Sequence, residues 1–262
     1  MVSPLGKNPI VGIVTNPQKD QQYTTYVKDF LQSHGAAVEF VDLHGETKAN
    51  LWVVLGGDGT MLRASHKAAE LDVPLFGINL GTLGFLTGAE KADGIAQLAK
   101  VLAGEYETEK RMMLGISQKG SYSLALNDVC VGTAGGLKVF DVYVNGHLLD
   151  TIRADGILVA TPTGSTAYNL SAGGPILMPG SQMMVVTPIC PHSLGTRPLV
   201  IGATDAVRIV AHSTAPLIAD GMHLAKLADG EGVDVTCAKH HTKIIKTCKT
   251  HFYDVLRAKK II

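Results

Sequence analysis

The sequence has no excess of either charge: 23 Lys+Arg balance 23 Asp+Glu, for a formal net charge of +0. Without a basic field, nucleic acid and membrane surfaces are not expected partners, and a small-molecule partner is expected instead. No apolar run approaches the roughly 20 residues that cross a bilayer. Cysteine is scarce and unpatterned. The four residues, at 130, 190, 237 and 248, form no Cys-x-x-Cys pair and no zinc-type His/Cys spacing, and Cys190-Pro191-His192 stands isolated. They read as buried free thiols, with no metal site of protein ligands expected. Met1 to Lys7 leads into a strand-like run without a signal-peptide core, so a cytoplasmic location is expected. Two nucleotide motifs are missing as well. No Gly-x-x-x-x-Gly-Lys-Ser/Thr occurs, which excludes a P-loop enzyme, and no Gly-x-Gly-x-x-Gly follows a first strand, which argues against a Rossmann dehydrogenase.

What is present is a globular composition. Hydrophobic residues make up 46% and charged residues 18% of 262 positions, enough to build a buried core and too apolar for a disordered chain. The first hundred residues alternate strand and helix signals. Ile10–Val14, 37–41, 51–55 and 74–78 read as buried strands, the first ending at an Asn16-Pro17 turn. Val27, Phe30 and Leu31 fall at helical spacing with Gly35 placed to end that helix, and further helices are expected over 60–71 and 95–102. Non-alternating strands separated by helices imply a parallel sheet, so residues 1–104 read as an α/β domain, Rossmann-like but without the dinucleotide fingerprint.

From about Glu105 the texture changes to short β-runs between turn residues: 124–126, 139–144, 147–152, 157–160, 183–186, 198–201, 207–211 and 233–236. Asn145-Gly146 between two such runs is a type I′ hairpin signal, because that turn needs two residues at positive φ. Residues 105–245 therefore read as a mainly antiparallel β domain. The tail, with apolar residues at 252, 255 and 256, reads as a short helix.

Leu55 ends a hydrophobic strand and runs into Gly56-Gly57-Asp58-Gly59-Thr60 at the start of a helix. Glycines let the backbone lie against a ligand, and the free N–H groups at a helix start attract phosphate. A carboxylate in a phosphate cradle repels its ligand unless it has a task. Asp58 either caps the helix or serves phosphoryl transfer, by taking the proton of an attacking hydroxyl or by holding Mg²⁺. Arg63, one turn on, is placed to reach back to a phosphate or to lie in solvent. Gly81-Thr82-Leu83-Gly84-Phe85-Leu86 forms a second glycine-rich loop, and two such loops at strand ends make a crevice.

The other unusual run is 155–168, where a strand enters Thr161-Pro162-Thr163-Gly164-Ser165-Thr166-Ala167-Tyr168, followed by Ser171-Ala172-Gly173-Gly174-Pro175. Hydroxyls, small residues and one aromatic ring suit a nucleoside, and they equally suit a turn-rich surface loop. Asn127-Asp128, at the end of a β-run, either holds a ribose or starts a turn. His192, among prolines, reads as a satisfied structural histidine, and Asp220-Gly221 as a strand end and turn without chemistry.

Together these runs resemble the NAD kinase family, the inorganic polyphosphate/ATP-NAD kinases. The likeness is carried by Gly56–Thr60, by 79–86, by Asn127-Asp128 and by Asp155 through Tyr168. Pro188 to Leu194 with Arg197-Pro198, and Asp220-Gly221, complete it. The resemblance implies a kinase that phosphorylates the adenosine 2′-hydroxyl of NAD using ATP or polyphosphate. It implies Asp58 as general base, and Gly56, Gly57, Gly59 and Thr60 as the phosphate-donor loop. NAD would be met by Gly59, Arg63, Phe85, Asn127, Asp128, Lys138, Arg153 and Asp155, and by the run Thr166, Ala167, Tyr168, Asn169, Leu170 and Ser171. A divalent metal, Mg²⁺, would arrive with the donor. The assembly would be a homodimer or homotetramer, and residues 246–262 would pack back on the first domain. Two departures stand out. The usual Asn-Glu is Asn127-Asp128 here, and Met222 occupies a position that is often Gln, where a thioether cannot replace an amide donor.

Overall fold

The computed structural model describes residues 9–15, 20–81, 84–133, 135–248 and 251–262. The expected turn at Asn16-Pro17, the Thr82-Leu83 part of the second glycine loop and the stretch Met1 to Lys7 lie outside the described residues. The chain forms two compact units, Met1–Lys110 with Thr242–Ile262, and Arg111–His241.

In the first unit the elements run β1 (Ile10–Thr15), α1 (Gln21–Ser33), β2 (Ala37–Phe40), β3 (Leu51–Leu55), α2 (Asp58–Glu70), β4 (Leu75–Asn79), β5 (Ala89–Glu90) and α3 (Gly94–Ala103). The strands pair in parallel in the order β4-β3-β1-β2, with β5 on β4. Every residue of β3 and β4 is buried, which is why both read as unbroken apolar runs. Val11, Val27, Leu31, Leu51, Val53, Phe76, Ile78 and Leu98 share one core, each contributing on the order of 1.5–3 kcal/mol by burial. Gly35 follows α1 at φ 81, the left-handed position after a helix that glycine adopts without a Cβ penalty. Helix α2 begins at Asp58, two residues before the position expected from periodicity, so the aspartate is its first residue.

The second unit takes up most of the rest. Its strands are β6 (Glu107–Gln118), β7 (Ser121–Ala125), β8 (Asp128–Gly132), β9 (Lys138–Val144), β10 (His147–Ala154), β11 (Gly156–Ala160) and β12 (Met183–Ile189). They continue with β13 (Leu199–Gly202), β14 (Val207–Ala211), β15 (Ala215–Ala219), β16 (Met222–Leu227) and β17 (Gly232–Lys246), and a short α4 (Tyr168–Ser171) follows β11. Strands β13-β12-β11-β8-β15-β16 form an antiparallel sheet, and β10-β9-β14-β17 pair antiparallel as a second layer. Val129, Val131, Ile157 and Val159 of one layer share a core with Phe140, Val142, Ile209 and Val233 of the other. The hairpin at Asn145-Gly146 has φ 52 and 79, as a type I′ turn requires. The last 21 residues belong to the first unit: Ile244 of β17 pairs in parallel with Leu75, and α5 (Phe252–Ala258) follows.

Periodicity missed β6, β8 and β16. The outer half of β6 is polar and β16 is largely exposed, so neither shows an alternating apolar face. Residues 127 and 128 do not merely end a strand, since β8 starts at Asp128. The cysteines also differ from expectation: Cys130 is buried, but Cys190 and Cys248 are exposed, because both sit just past strand ends where burial is lost.

Candidate active site

In the first unit the site begins at the carboxyl ends of β3 and β4. Gly57 is the N-cap of α2 and has no capping side chain, and Asp58 does not cap the helix either. Its carboxylate turns instead to the second glycine loop. Oδ2 accepts the N–H of Phe85 at 3.0 Å and Oδ1 that of Leu86 at 2.9 Å. A Cβ on Gly84 would stand 2.3 Å from Oδ1, so only glycine lets the loop close on the carboxylate. Asn79, buried at the end of β4, accepts the Gly81 N–H at 3.1 Å. The Thr60 side chain covers Gly56, where an added Cβ would lie 2.4 Å from Oγ1. Arg63 is exposed one turn along α2. The two glycine loops are thus joined through one aspartate, which stands at the positive end of α2 where negative charge is favoured.

The second cluster lies in the other unit and is built on residues 126–128. The Asp220 carboxylate accepts three backbone N–H groups: Leu126 at 2.7 Å, Asn127 at 2.8 Å and Asp128 at 3.0 Å. The Asp220 N–H in turn donates to the Asp128 carbonyl at 3.0 Å. From the other side, Thr161 Oγ1 donates to the Leu126 carbonyl at 2.6 Å and Thr161 N–H to the Asn127 carbonyl at 2.9 Å. Gly164 packs so closely that a Cβ would sit 2.0 Å from the Asn127 carbonyl oxygen. The backbone of this turn is therefore occupied from both sides, while the side chains of Asn127 and Asp128 take no part in the clamp.

Asp128 is 6% exposed, and burial, followed by the nearby Asp220 charge, pushes its carboxyl up to about 7. A raised carboxyl contributes stability that is fully present below the unfolded value near 4 and is lost as pH rises through about 7. Asp128→Asn should therefore match the wild type in thermal unfolding at pH 4 and exceed it above pH 7, by an amount on the order of a few kcal/mol. Melting curves from pH 4 to 8.5 check this, and a constant offset across that range would contradict it.

The remaining residues divide by exposure. Tyr168 and Ser171 are exposed, Thr166, Ala167 and Leu170 are half-buried, and Arg153 is exposed on β10 beside half-buried Asp155. Lys138 starts β9 opposite Ala154. Asn169 is placed differently. It is fully buried, its amide donating to the Ser165 and Pro175 carbonyls and accepting from Thr187 Oγ1 at 2.7 Å, so the protein itself uses that side chain. His192 is exposed rather than enclosed, and its backbone N–H donates to the Arg153 carbonyl at 2.8 Å. Met222 is exposed at the start of β16, directly after Asp220-Gly221.

Two residues escaped the sequence reading. Asp220 looked like a turn former, and only its three long-range N–H partners reveal its task. Arg111, 5% exposed on β6, donates from Nη1 to Thr163 Oγ1 at 3.3 Å and braces the hydroxyl-rich loop. Among the described residues no group of three His, Cys, Asp or Glu side chains is arranged to hold a metal ion, and no helix is long and apolar enough to cross a membrane.

The chain matches the family models described as ATP-NAD kinase N-terminal domain over residues 15–106 and ATP-NAD kinase C-terminal domain over residues 126–247. It is 44% identical over 216 residues to an NAD kinase of Moorella thermoacetica, covering 79% of this chain and 70% of that protein. Its structure is similar to yeast NADH kinase complexed with NADH, with a TM-score of 0.84 at 25% identity, covering 96% of this chain and 88% of that one. It is also similar to an NAD kinase from Archaeoglobus fulgidus in complex with ATP, with a TM-score of 0.83 at 26% identity, covering 97% and 99%.

Proposed function

The chain belongs to the NAD kinase family and phosphorylates the adenosine 2′-hydroxyl of NAD with ATP, and for that reaction we propose that Asp58 is the general base. The observation that carries the assignment is the seat of its carboxylate, fixed by the Phe85 and Leu86 N–H groups at the head of α2. Each carboxylate oxygen spends one lone pair on the protein and keeps another. The 2′-hydroxyl proton passes to that second lone pair as the ribose oxygen bonds to the γ-phosphorus. The bond from the γ-phosphorus to the bridging oxygen breaks, leaving ADP and NADP. Gly56, Gly57, Gly59 and Thr60 form the loop that receives the donor phosphates at the helix start; the Gly56 and Thr60 N–H groups are spent on the Ile78 and Gly57 carbonyls, so Gly57 and Gly59 are the two that offer theirs to an anion. Arg63, exposed next to them, adds positive charge.

Asn127 and Asp128 hold the ribose hydroxyls of NAD, Asn127 through its amide and Asp128 as donor or acceptor near neutral pH. The surface of 166–171, with the Tyr168 ring, lies against the bases, and Asn169 acts from behind by holding that loop in shape. Arg153 and Asp155 approach the nicotinamide end, with Lys138 and Phe85 at the margins of the same ligand. Met222 offers no amide at its position, which removes one polar contact without touching the transfer step.

Mg²⁺ fits this arrangement as an ion carried by the donor. The described residues offer no cage of three ligands, and Mg²⁺ commonly keeps its waters and substrate phosphates with only one or two carboxylates. When bound, it supplies neutralisation of phosphate charge. Free thiols at all four cysteines suit a reducing, cytoplasmic location. Met183, Leu199 and Val200, between 38% and 45% exposed on β12 and β13, support assembly of copies into a dimer or tetramer.

A coupled assay tests the reading. NADP should accumulate with ATP and NAD, and chelation of divalent metal should stop it. Running the same assay with polyphosphate, and with NADH as acceptor, defines the donor and acceptor range. Absence of NADP under every combination would remove the function.

A further inference from the structure

Residues 84–88, the end of the second glycine loop and its exit toward β5, are held on two sides. On one side they close on Asp58 through the Phe85 and Leu86 N–H groups. On the other they meet the segment 242–262, which belongs to the same unit. The Lys246 ammonium donates to the Thr87 carbonyl at 2.8 Å, and the Cys248 thiol reaches the Gly88 carbonyl at 3.9 Å. A Cβ on Gly88 would stand 2.8 Å from the Ile245 carbonyl oxygen, so the loop and β17 meet backbone to backbone. The Phe85 ring is held by α5. The Phe252 ring lies 5.8 Å from it, centroid to centroid, at 48°, and the Lys259 ammonium stands over its face at 5.2 Å from the centroid. A tilted ring pair at that distance and a cation over a ring are both attractive geometries.

We propose that α5 positions the general base: Phe252, assisted by Lys259, fixes the Phe85 ring and thereby aims the Asp58 carboxylate at the reacting hydroxyl. The inference rests on Asp58 as the base and adds the groups that keep it in line. Phe85 carries both ends of the connection, its ring on α5 and its N–H on Asp58 Oδ2. The next N–H, of Leu86, holds Oδ1, so a shift of Phe85 reaches both carboxylate oxygens. Misplacing a reacting group by about 1 Å costs on the order of 10²-fold in rate. The contact is also separable from the fold. The buried side chains of α5 are Val255 and Leu256, neither of which belongs to the core around the parallel sheet, and Phe252 is half-buried. Removing its ring should leave that core standing.

Phe252→Ala is expected to lower kcat for NADP formation by about 10-fold or more while KM for ATP stays within about 2-fold, the pattern of a lost transition-state interaction. Phe252→Tyr keeps the ring and should retain at least about half of wild-type kcat. Lys259→Gln, at an exposed position, should lower kcat by about 2- to 5-fold. Tyr253→Ala removes the exposed ring next to Phe252 and should leave kcat unchanged. Non-additivity is the decisive readout. The Asp58→Asn protein has no base to aim, so adding Phe252→Ala to it should change the residual kcat by less than about 2-fold. If Phe252→Ala does not fold, Lys259→Gln in the same two backgrounds decides. The positioning role is overturned if Phe252→Ala and Lys259→Gln keep wild-type kcat, if Phe252→Tyr fails to rescue, or if the losses are as large without Asp58 as with it. The base reading stands in each of those cases. If Asp58→Asn alone keeps wild-type kcat, the base reading fails first.

Discussion

Asp58→Asn is expected to lower kcat for NADP formation by about 10²–10⁴-fold, the usual worth of a positioned general base, with Kd for NAD changed less than about 5-fold. The size of the loss follows from chemistry. An amide has no lone pair basic enough to take the ribose proton, and the ribose oxygen must then attack with its proton still attached. The structure adds a second cost. The carboxylate also receives the Phe85 and Leu86 N–H groups, and in the variant one of them would face an amide donor. Leaving such a group unmatched costs about 1–3 kcal/mol, so a fall in melting temperature is expected beside the kinetic loss. A variant that is destabilised but keeps wild-type kcat would leave Asp58 only the task of joining the two glycine loops.

Asp220→Asn should act on NAD binding more than on transfer, raising KM for NAD at least 10-fold with kcat within about 3-fold. Its carboxylate takes three N–H bonds from residues 126–128, and bonds to an ionised acceptor are worth roughly twice neutral ones. An asparagine provides one oxygen and sets its own N–H groups against the remaining donors. The turn that presents Asn127 and Asp128 should relax, at a cost on the order of 3 kcal/mol in stability. One readout is specific to the position. The Asp220 charge contributes, after burial, to the raised Asp128 carboxyl, so in the variant Asp128 should titrate lower. Carbon-detected NMR titration of Asp128 in both proteins checks this. An unchanged titration with unchanged KM would reduce Asp220 to an ordinary turn residue.

The local parts of this site were legible in the sequence because local chain chemistry produces them. Three glycines in four positions after an apolar strand can hardly be anything but a tight strand-to-helix loop, and Asp58 in its centre asked for a reason. The helix-strand alternation of the first half and the Asn145-Gly146 hairpin followed from short-range rules and appear in the structure. What was not legible depends on partners distant in sequence. Asp220 bonds to backbone more than 90 residues away, and no pattern around 220 announces it. Asn169 illustrates a different limit: composition marks a loop as polar without saying which side chains face inward, and this one saturates its amide on Ser165, Pro175 and Thr187. Arg111 sits where a charged residue on a strand normally reads as surface, and only its burial against Thr163 shows that it braces the site. Strand β16 failed for want of an apolar face, since edge strands exposed to solvent carry no alternation to detect.

The most direct test of the account is the position of the transferred phosphate. ATP labelled in its γ-phosphate, incubated with NAD and the wild-type protein, should yield one labelled dinucleotide whose ³¹P and ¹H spectra place the phosphate on the adenosine 2′-oxygen, in equal amount to the ADP formed. Phosphate at any other hydroxyl, or ADP released without a phosphorylated dinucleotide, would contradict it.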